Sequence, residues 1–331
     1  MPPPRGAERV EIFRNPSPTA DLPRGGVVTI GNFDGVHVGH QALVGGAVSR
    51  ARELGTVAVA LTFTPHPESV LRPERELKLL STPAQRAQLL SLCGLDALVE
   101  IAFDKRFAAT PADTFAREFL AARLAPVEVW LGATFRFGAG RTGDVALLRG
   151  VGEACGFGVV GVEPVLAGGE VVSSTRIRQA LARGDVEGAA ALLGRPFFID
   201  GSVYRGERMG RKLGFPTINV RAENELLPAH GVYVTAVHIP SFGRLFQSVT
   251  NVGVRPTVYE NYAVTVESHV LDFTADLYRE TVRLFFLKRL RDERVFASSM
   301  ELVAQIRRDV ELARLFFVSP GVDEAVLVRR W

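Results

Sequence analysis

Val27-Val28-Thr29-Ile30-Gly31-Asn32-Phe33-Asp34-Gly35-Val36-His37-Val38-Gly39-His40 runs from four β-branched residues through a glycine-bearing turn into a helical pattern. A strand that turns directly into a helix is the opening step of a βαβ unit, so this junction decides how the first half of the chain is read. Glycines at 31, 35 and 39 let backbone N–H groups approach a phosphate closely, and the helix start adds the positive end of its dipole. His37 and His40 are three residues apart, so at a helix start both imidazoles can face one side and donate to a phosphate whose charge grows during transfer. A histidine pair at this spacing is more often surface or core when it stands alone. Strand, glycines and histidines together make Gly31, Asn32, Phe33, Asp34, Gly35 and Gly39 candidate phosphate-binding residues around His37 and His40.

Further along the chain the same alternation continues. Strand-like runs at 57–63, 97–102, 127–131 and 157–162 are separated by amphipathic stretches with start signals, such as Ser81-Thr82-Pro83 and Thr110-Pro111. A βαβ series of this kind predicts a parallel sheet covered by helices on both faces, with ligands at the carboxyl ends of its strands. Ser173-Ser174-Thr175-Arg176-Ile177-Arg178 follows the last of these strands. Read alone it is an ordinary helix N-cap. At the end of this sheet the hydroxyls of Ser173, Ser174 and Thr175 and the guanidinium fork of Arg178 suit the phosphates of a nucleotide.

Two helical segments, 175–183 and 186–193, then give way to strands with no helices between them, and the change in pattern puts the boundary near Gly194. Strands are expected at 197–204, 215–220, 232–238, 245–252, 264–271 and 282–287, punctuated by Gly, Pro and Asn, which predicts a compact antiparallel barrel. Leu302, Ile306, Val310 and Leu315 give 298–316 helical periodicity, so a closing helix is expected on that barrel. The glycine-rich run 201–219 suggests a flap over phosphates, yet no GxxxxGK[ST] loop occurs, so any kinase chemistry here is not of the Walker type. Thr217 and Asn219 are two apart, which in a strand puts both oxygens on one face, where they could hold Mg²⁺ and an ATP phosphate. Alternation around Glu267 puts Thr265, Glu267 and His269 on the face opposite Val264, Val266 and Val270.

The two motifs His37-Val38-Gly39-His40 and Ser173 to Arg178 resemble those of the nucleotidyltransferase superfamily. The longer stretch 31–41 looks like the adenylyltransferase half of the bacterial bifunctional riboflavin kinase/FAD synthetase family, supported by Phe63-Thr64-Pro65-His66-Pro67 and by Phe135-Arg136-Phe137-Gly138 with Arg141, Gly143 and Asp144. In the second half, residues 210–219, Gly231-Val232-Tyr233, residues 251–257 and residues 267–273 together resemble the riboflavin kinase domain, a six-stranded barrel. The implied organisation is an FMN adenylyltransferase domain over 1–185, with a Rossmann-like sheet, and a riboflavin kinase domain over 186–331. The implied activity is phosphorylation of riboflavin to FMN, then adenylylation of FMN to FAD with release of pyrophosphate. By the same resemblance Glu267 is the base for the ribityl 5′-hydroxyl, Thr217 and Asn219 are ligands of the metal–ATP complex, His37 and His40 stabilise the reacting phosphate, and Arg178 holds the leaving end. Gly210, Arg211, Lys212, Gly214 and Arg255 are the further binding candidates, and Mg²⁺ is expected at both sites with ATP as co-substrate. One departure stands out: Thr134 occupies the position before Phe-x-Phe-Gly where that family usually carries Asp or Asn, and a hydroxyl does not supply a carboxylate's charge.

Composition narrows the remaining classes. With 331 residues, 47% apolar and 23% charged residues, the chain is of two-domain length and far from the disordered class. No apolar run approaches the ~18 residues that span a bilayer, and residues 1–18 carry Pro and charges where a signal peptide has an apolar core, so a cytoplasmic location is expected. Net charge is only +3, and the arginines are scattered without interleaved aromatics, so neither nucleic acid nor a membrane is expected as partner. Riboflavin, FMN and ATP are the expected ligands, with no obligate protein partner. Cys93 and Cys155 form neither a disulfide framework nor a zinc spacing. Rival readings are a nucleotidyltransferase of another specificity, against which the kinase-like half argues, and a non-catalytic flavin-binding regulator.

Overall fold

Short parallel strands make up the first half of the chain. In the computed structural model, which describes residues 10–17, 19–206, 209–255 and 263–319, they are β1 (Glu11–Arg14), β2 (Val27–Ile30), β3 (Ala58–Thr64), β4 (Ala97–Ala102), β5 (Glu128–Gly132) and β6 (Gly158–Val162). They form one sheet in the order β1-β4-β3-β2-β5-β6, with every neighbouring pair parallel. A two-residue ribbon, β7 (Leu166–Ala167) with β8 (Glu170–Val171), follows. β2 is buried at every position and β3 at all but its last, which is why both read as unbroken apolar or β-branched runs and not as alternating ones. Val28, Ile30, Val59, Leu61, Val99, Val129 and Leu131 build a core with Phe115, Leu120, Leu124, Leu148 and Val151 from the helical segments Phe115–Leu124 and Val145–Cys155. The helix Val38–Glu53 packs on β2, β3 and β5 with Leu43, Val44, Ala47 and Ala51 buried.

The chain winds from β2 through β3 to β4 on one side, then returns to place β5 and β6 on the other side of β2. The order therefore reverses between β2 and β5, and a crevice opens beyond their carboxyl ends. The loop that carries His37 leaves β2 at this point. β1, a four-residue edge strand, lies outside the expected set. The segment Phe115–Leu124 is wound as a π-helix, closed by Ala125 N–H donating to Leu120 O at 3.0 Å, where an α-helix was the simpler expectation.

The second half holds the helices Ser174–Ala182 and Val186–Leu193, then a closed antiparallel barrel. Its strands are β9 (Phe197–Tyr204), β10 (Ile218–Ala222), β11 (Gly231–Ile239), β12 (Arg244–Arg255), β13 (Ala263–Val270) and β14 (Thr281–Arg291), in the order β10-β13-β12-β11-β14-β9, with β9 pairing back onto β10. Among the described residues one compact unit lies within 1–78 and 83–173 and the other within 79–82 and 174–331. Two expectations change here. A single helical turn, Met209–Lys212, interrupts the strands, and β10 starts at Ile218 instead of residue 215, because Pro216 has no N–H to enter a ladder.

The barrel interior mixes apolar and hydroxyl groups. Val266, Ser268 and Val270 point inward and are buried, while Thr265, Glu267 and His269 are only partly covered, as the alternation predicts. Four buried hydroxyls satisfy one another: Thr235 Oγ1 lies 2.6 Å from both Ser248 Oγ and Thr250 Oγ1, and Thr250 Oγ1 donates to Ser268 Oγ at 2.9 Å. The helix Ser299–Val318 closes the barrel. Ser298 Oγ accepts from Glu301 N–H at 3.3 Å and Glu301 Oε2 accepts from Ala297 N–H at 3.2 Å, a reciprocal cap at its start. Ala313 and Phe317 pack on Val232, Val234 and Val249. Asp309, 2% exposed, accepts from Arg291 Nη2 at 2.8 Å and Gln305 Nε2 at 2.7 Å, tying the helix to the end of β14.

Candidate active sites

The turn after β2 is buried and tightly wound. Gly31, Phe33, Asp34, Gly35 and Val36 are all buried, and Asn32 is partly so. Phe33 and Val36 have φ of 51° and 40°, left-handed values that cost non-glycine residues about 1–3 kcal/mol each. The turn is held by Val36 N–H donating to Phe33 O at 3.2 Å, Gln41 Nε2 to Val36 O at 2.8 Å and Thr62 Oγ1 to Asn32 O at 3.3 Å. Strain retained at the carboxyl end of a sheet, in the crevice where the strand order reverses, marks this turn as a site.

His37 is the N-cap of the helix Val38–Glu53, and its Nδ1 accepts from His40 N–H at 3.3 Å. That bond assigns the lone pair to Nδ1 and the proton to Nε2 in the neutral ring, so His37 offers one N–H donor, from Nε2. The expectation that both imidazoles donate is compatible with this bond, which uses the other ring nitrogen of His37 as a cap. The two rings stack with centroids 3.6 Å apart and 15° between planes, and Phe33 meets the His40 ring edge-on at 5.4 Å. A side chain at Gly39 would begin 3.2 Å from the His37 ring, so glycine is what lets that ring lie over the first helical turn.

Other segments carry the remaining candidates. His66 caps the short helix Pro67–Leu71 by accepting from Glu68 N–H at 3.2 Å. After β5, Thr134 is exposed on a turn, and Arg136 Nη1 donates to Asp144 Oδ2 at 2.7 Å. The Leu147 N–H and the Arg136 guanidinium hold the Asp144 carboxyl below its usual range. Ser173 closes the first compact unit, whereas Ser174, Thr175 and the partly covered Arg178 open the second.

In the barrel unit a cleft of about 500 Å³ is lined by Gly206, Arg211, Thr217 and Asn219, together with Tyr204 and Tyr278. Gly206 and Gly210 are there because the chain passes too close for a side chain: a Cβ at 206 would fall 2.6 Å from the Asn219 amide, and one at 210 would fall 2.4 Å from Phe215 O and 3.2 Å from Thr217 Oγ1. Gly214 has φ of 86° and ends this turn. His269 Nδ1–H donates to Pro216 O at 2.7 Å while Phe215 stands edge-on to the His269 ring at 5.5 Å, so β13 fixes the segment that presents Thr217. Thr217 precedes the strand but lines the same cleft as Asn219, as the spacing requires.

Asn219 on β10 pairs with Glu267 on β13, and Glu267 pairs with Asn251 on β12, so the three side chains stand in one row across three strands. Asn219 is 6% exposed, and its Oδ1 is buried with no hydrogen-bond partner among the described residues. A buried carbonyl oxygen without a donor has the chemistry of a cation ligand. Among the described residues no cluster of three or more His, Cys, Asp or Glu could hold a metal. The Lys212 and Arg255 side chains lie outside the described set. Sequence reasoning missed Arg205, whose guanidinium lies 4.5 Å from the Tyr278 ring centre beside the cleft, and Arg279, at 5.2 Å from the same ring. It also missed Arg86 and Glu100 beneath the histidine loop, since a lone Arg in an Ala/Gln/Leu helix carries no signal of its partner.

Comparison with known proteins places these two sites in context. A family model described as FAD synthetase matches residues 19–176, and one described as riboflavin kinase matches residues 193–317. The bifunctional riboflavin kinase/FMN adenylyltransferase of Escherichia coli strain K12 is 40% identical over 294 residues, covering 88% of this chain and 93% of that protein. The protein of the same name from Pseudomonas fluorescens is 40% identical over 291 residues with the same coverage. A crystal structure from Streptococcus pneumoniae, described as a macrolide-efflux protein, superimposes with a TM-score of 0.85 at 30% identity over 92% of this chain and 99% of that one. Among the described residues of this chain no helix is long and apolar enough to cross a membrane.

Proposed function

The chain belongs to the bifunctional riboflavin kinase/FMN adenylyltransferase family, enzymes of flavin cofactor biosynthesis, and from that membership we propose how its residues divide the two reactions. The barrel converts riboflavin and ATP to FMN and ADP. The sheet unit then joins FMN to the AMP portion of a second ATP. The observation that carries this assignment is the row Asn219, Glu267, Asn251, which sets a carboxylate beside an amide oxygen that lacks a donor among the described residues.

In the kinase step Glu267 accepts the proton of the ribityl 5′-hydroxyl as that oxygen bonds to the γ-phosphorus of ATP, and the bond to the β-phosphate oxygen breaks to release ADP. Asn219 Oδ1 and the Thr217 hydroxyl would hold Mg²⁺ with the ATP phosphates; the buried Oδ1, without a donor among the described residues, supports this fit. The metal, when bound, neutralises charge on the transferred phosphoryl group. Arg205 and Arg211 sit at the same cleft and attract its anionic occupant.

In the adenylylation step an FMN phosphate oxygen attacks the α-phosphorus of ATP, the α–β bridging bond breaks, and pyrophosphate leaves. His37 and His40, stacked at the start of the helix, would stabilise the crowded phosphate, and the amides of the 31–36 turn would add backbone donors. Ser173, Ser174, Thr175 and Arg178 take the nucleotide's phosphates on the strength of their motif. Both reactions consume cytosolic metabolites, so a cytoplasmic location belongs to the same reading.

The test is incubation of purified protein with oxidised riboflavin, ATP and MgCl₂, followed by chromatographic separation of riboflavin, FMN and FAD. Accumulation of FAD is the expected result. FMN without FAD would leave only the kinase half standing, and neither product would overturn the proposal.

A further inference from the structure

Arg86 lies on the helix Pro83–Leu92 and is 5% exposed, as is its partner Glu100 on β4. Its Nη2 donates to Glu100 Oε1 at 3.0 Å and to Thr64 Oγ1 at 2.7 Å, and its Nη1 donates to Phe63 O and Asn32 O, both at 3.4 Å. Glu100 Oε2 accepts in turn from Arg14 Nε at 3.2 Å. One guanidinium thus reaches the carboxyl ends of β2, β3 and β4, the edge of the sheet from which the histidine loop departs. A buried ion pair of this kind contributes little net stability compared with a well-packed apolar pair, so stability alone does not account for it. What an apolar pair cannot supply is the donor to Asn32 O.

Asn32 O receives two donors, Arg86 Nη1 and Thr62 Oγ1, so its peptide plane is held from the sheet side. The Asn32–Phe33 peptide is trans, and in a trans peptide the N–H points opposite to the C=O. Pinning Asn32 O therefore fixes Phe33 N–H pointing away from Arg86. From Phe33 onward the chain passes through left-handed φ at Phe33 and Val36 before reaching His37, the residue that caps the helix. A turn wound against its own preferences keeps its shape only while its root is fixed.

We propose that Arg86 is a positioning residue for adenylyl transfer, holding the Asn32–Phe33 peptide and, through the strained turn, the His37–His40 pair in register with the reacting phosphate. This rests on the reading of the 31–40 loop as the adenylyl-transfer site. Arg86 is too deeply buried to bind substrate itself, so its loss should weaken interactions made in the transition state more than those made in the ground state.

Two variants test the proposal. Arg86→Met combined with Glu100→Met removes both charges and the donors while keeping the site filled, and the one charge it leaves without its partner is Arg14, which is largely exposed. Arg86→Lys keeps the charge but cannot span the four acceptors. With FMN supplied directly, both variants should lose about tenfold or more in kcat for FAD formation while KM for FMN and ATP stays within about twofold. The kinase activity of the same preparations should be unchanged, which reports that the barrel unit is folded, and their far-ultraviolet circular dichroism should match the parent's, which reports the same for the sheet unit. Retention of kcat within about twofold in the double variant, a rise in KM alone, or joint loss of both activities would overturn the positioning role. Failure of the underlying site reading shows separately: His40→Ala would then leave FAD formation intact, whatever the Arg86 variants do.

Discussion

Asn219 and Glu267 face each other directly across the β10–β13 pair, placing the one carboxylate of the row beside the amide whose Oδ1 lacks a donor among the described residues. Side chains opposite one another on adjacent antiparallel strands have Cβ atoms about 5 Å apart, close enough for one substrate atom to touch both. Glu267→Gln keeps the size and removes the proton acceptor. It should lower riboflavin phosphorylation about 10²- to 10⁴-fold, the usual contribution of a positioned base, and leave adenylylation of supplied FMN unchanged. A kinase rate within a few-fold of the parent would remove Glu267 from the mechanism.

His40 tests the other unit. Its ring stacks on His37 and its N–H is the bond that orients the His37 ring. The backbone bond survives His40→Ala, while the second imidazole at the phosphate is lost. FAD formation from supplied FMN should fall about 10²-fold or more, with riboflavin phosphorylation intact. Loss of both activities in a folded protein would contradict the assignment of two separate sites.

Much of this arrangement is legible from the residues because it depends on short-range pattern. β2, β9 and the helix Val186–Leu193 follow from apolar runs and their flanking breakers, and the inward and outward faces of β13 follow from simple alternation. What escapes is decided across the chain. Asn251 meets Glu267 only through the β12–β13 register, and Arg86 meets Asn32 and Glu100 only once the sheet is assembled. β1 escapes because Glu-Ile-Phe-Arg is too short to show a period and pairs with β4, some 80 residues later in the chain. The strand-like pattern of 215–220 puts Thr217 inside a strand, and the missing N–H of Pro216 overrides it.

Thr134 offers a test of gain instead of loss. It is exposed on the turn after β5, the neighbour of β2 at the crevice, at the position where the family resemblance implies Asp or Asn. Thr134→Asp or Thr134→Asn restores a stronger acceptor, and one added hydrogen bond of about 1 kcal/mol corresponds to a several-fold change. The kcat/KM for FAD formation should rise by roughly that factor with the kinase unaffected. No change in either variant would mean that this position does not reach the substrate.

Asp309 should matter for the barrel's stability. Its carboxylate is buried against Arg291 and Gln305, joining the closing helix to β14. Asp309→Ala leaves the Arg291 guanidinium without its partner, a change that costs about 3–5 kcal/mol for a buried pair. Thermal inactivation of the kinase activity should shift to lower temperature by several degrees. An unshifted profile would show that the helix is held by its apolar contacts through Val310, Ala313, Phe316 and Phe317 and by the Arg314–Asp272 pair without help from Asp309.

Asp96 predicts a pH dependence whose sign can be worked out. It stands between β3 and β4, accepting from Arg52 at 2.7 and 2.8 Å and from Ala58 N–H at 2.7 Å. Burial raises its affinity for a proton, but the bonds from Arg52 and Ala58 outweigh burial and leave the carboxyl below its ordinary value. A folded value lower than the unfolded one, about 3.9, means that the stability contributed by Asp96 is complete above that pH and is lost as pH falls through the folded value. Asp96→Asn cannot ionise, so it should lower the unfolding temperature of the sheet unit at pH 7, by a modest amount because the group is one-third exposed. As the pH is taken below about 4 the gap between parent and variant should narrow. A gap that stays constant from pH 7 to pH 3 would assign the effect to lost hydrogen-bond geometry and not to the charge on Asp96.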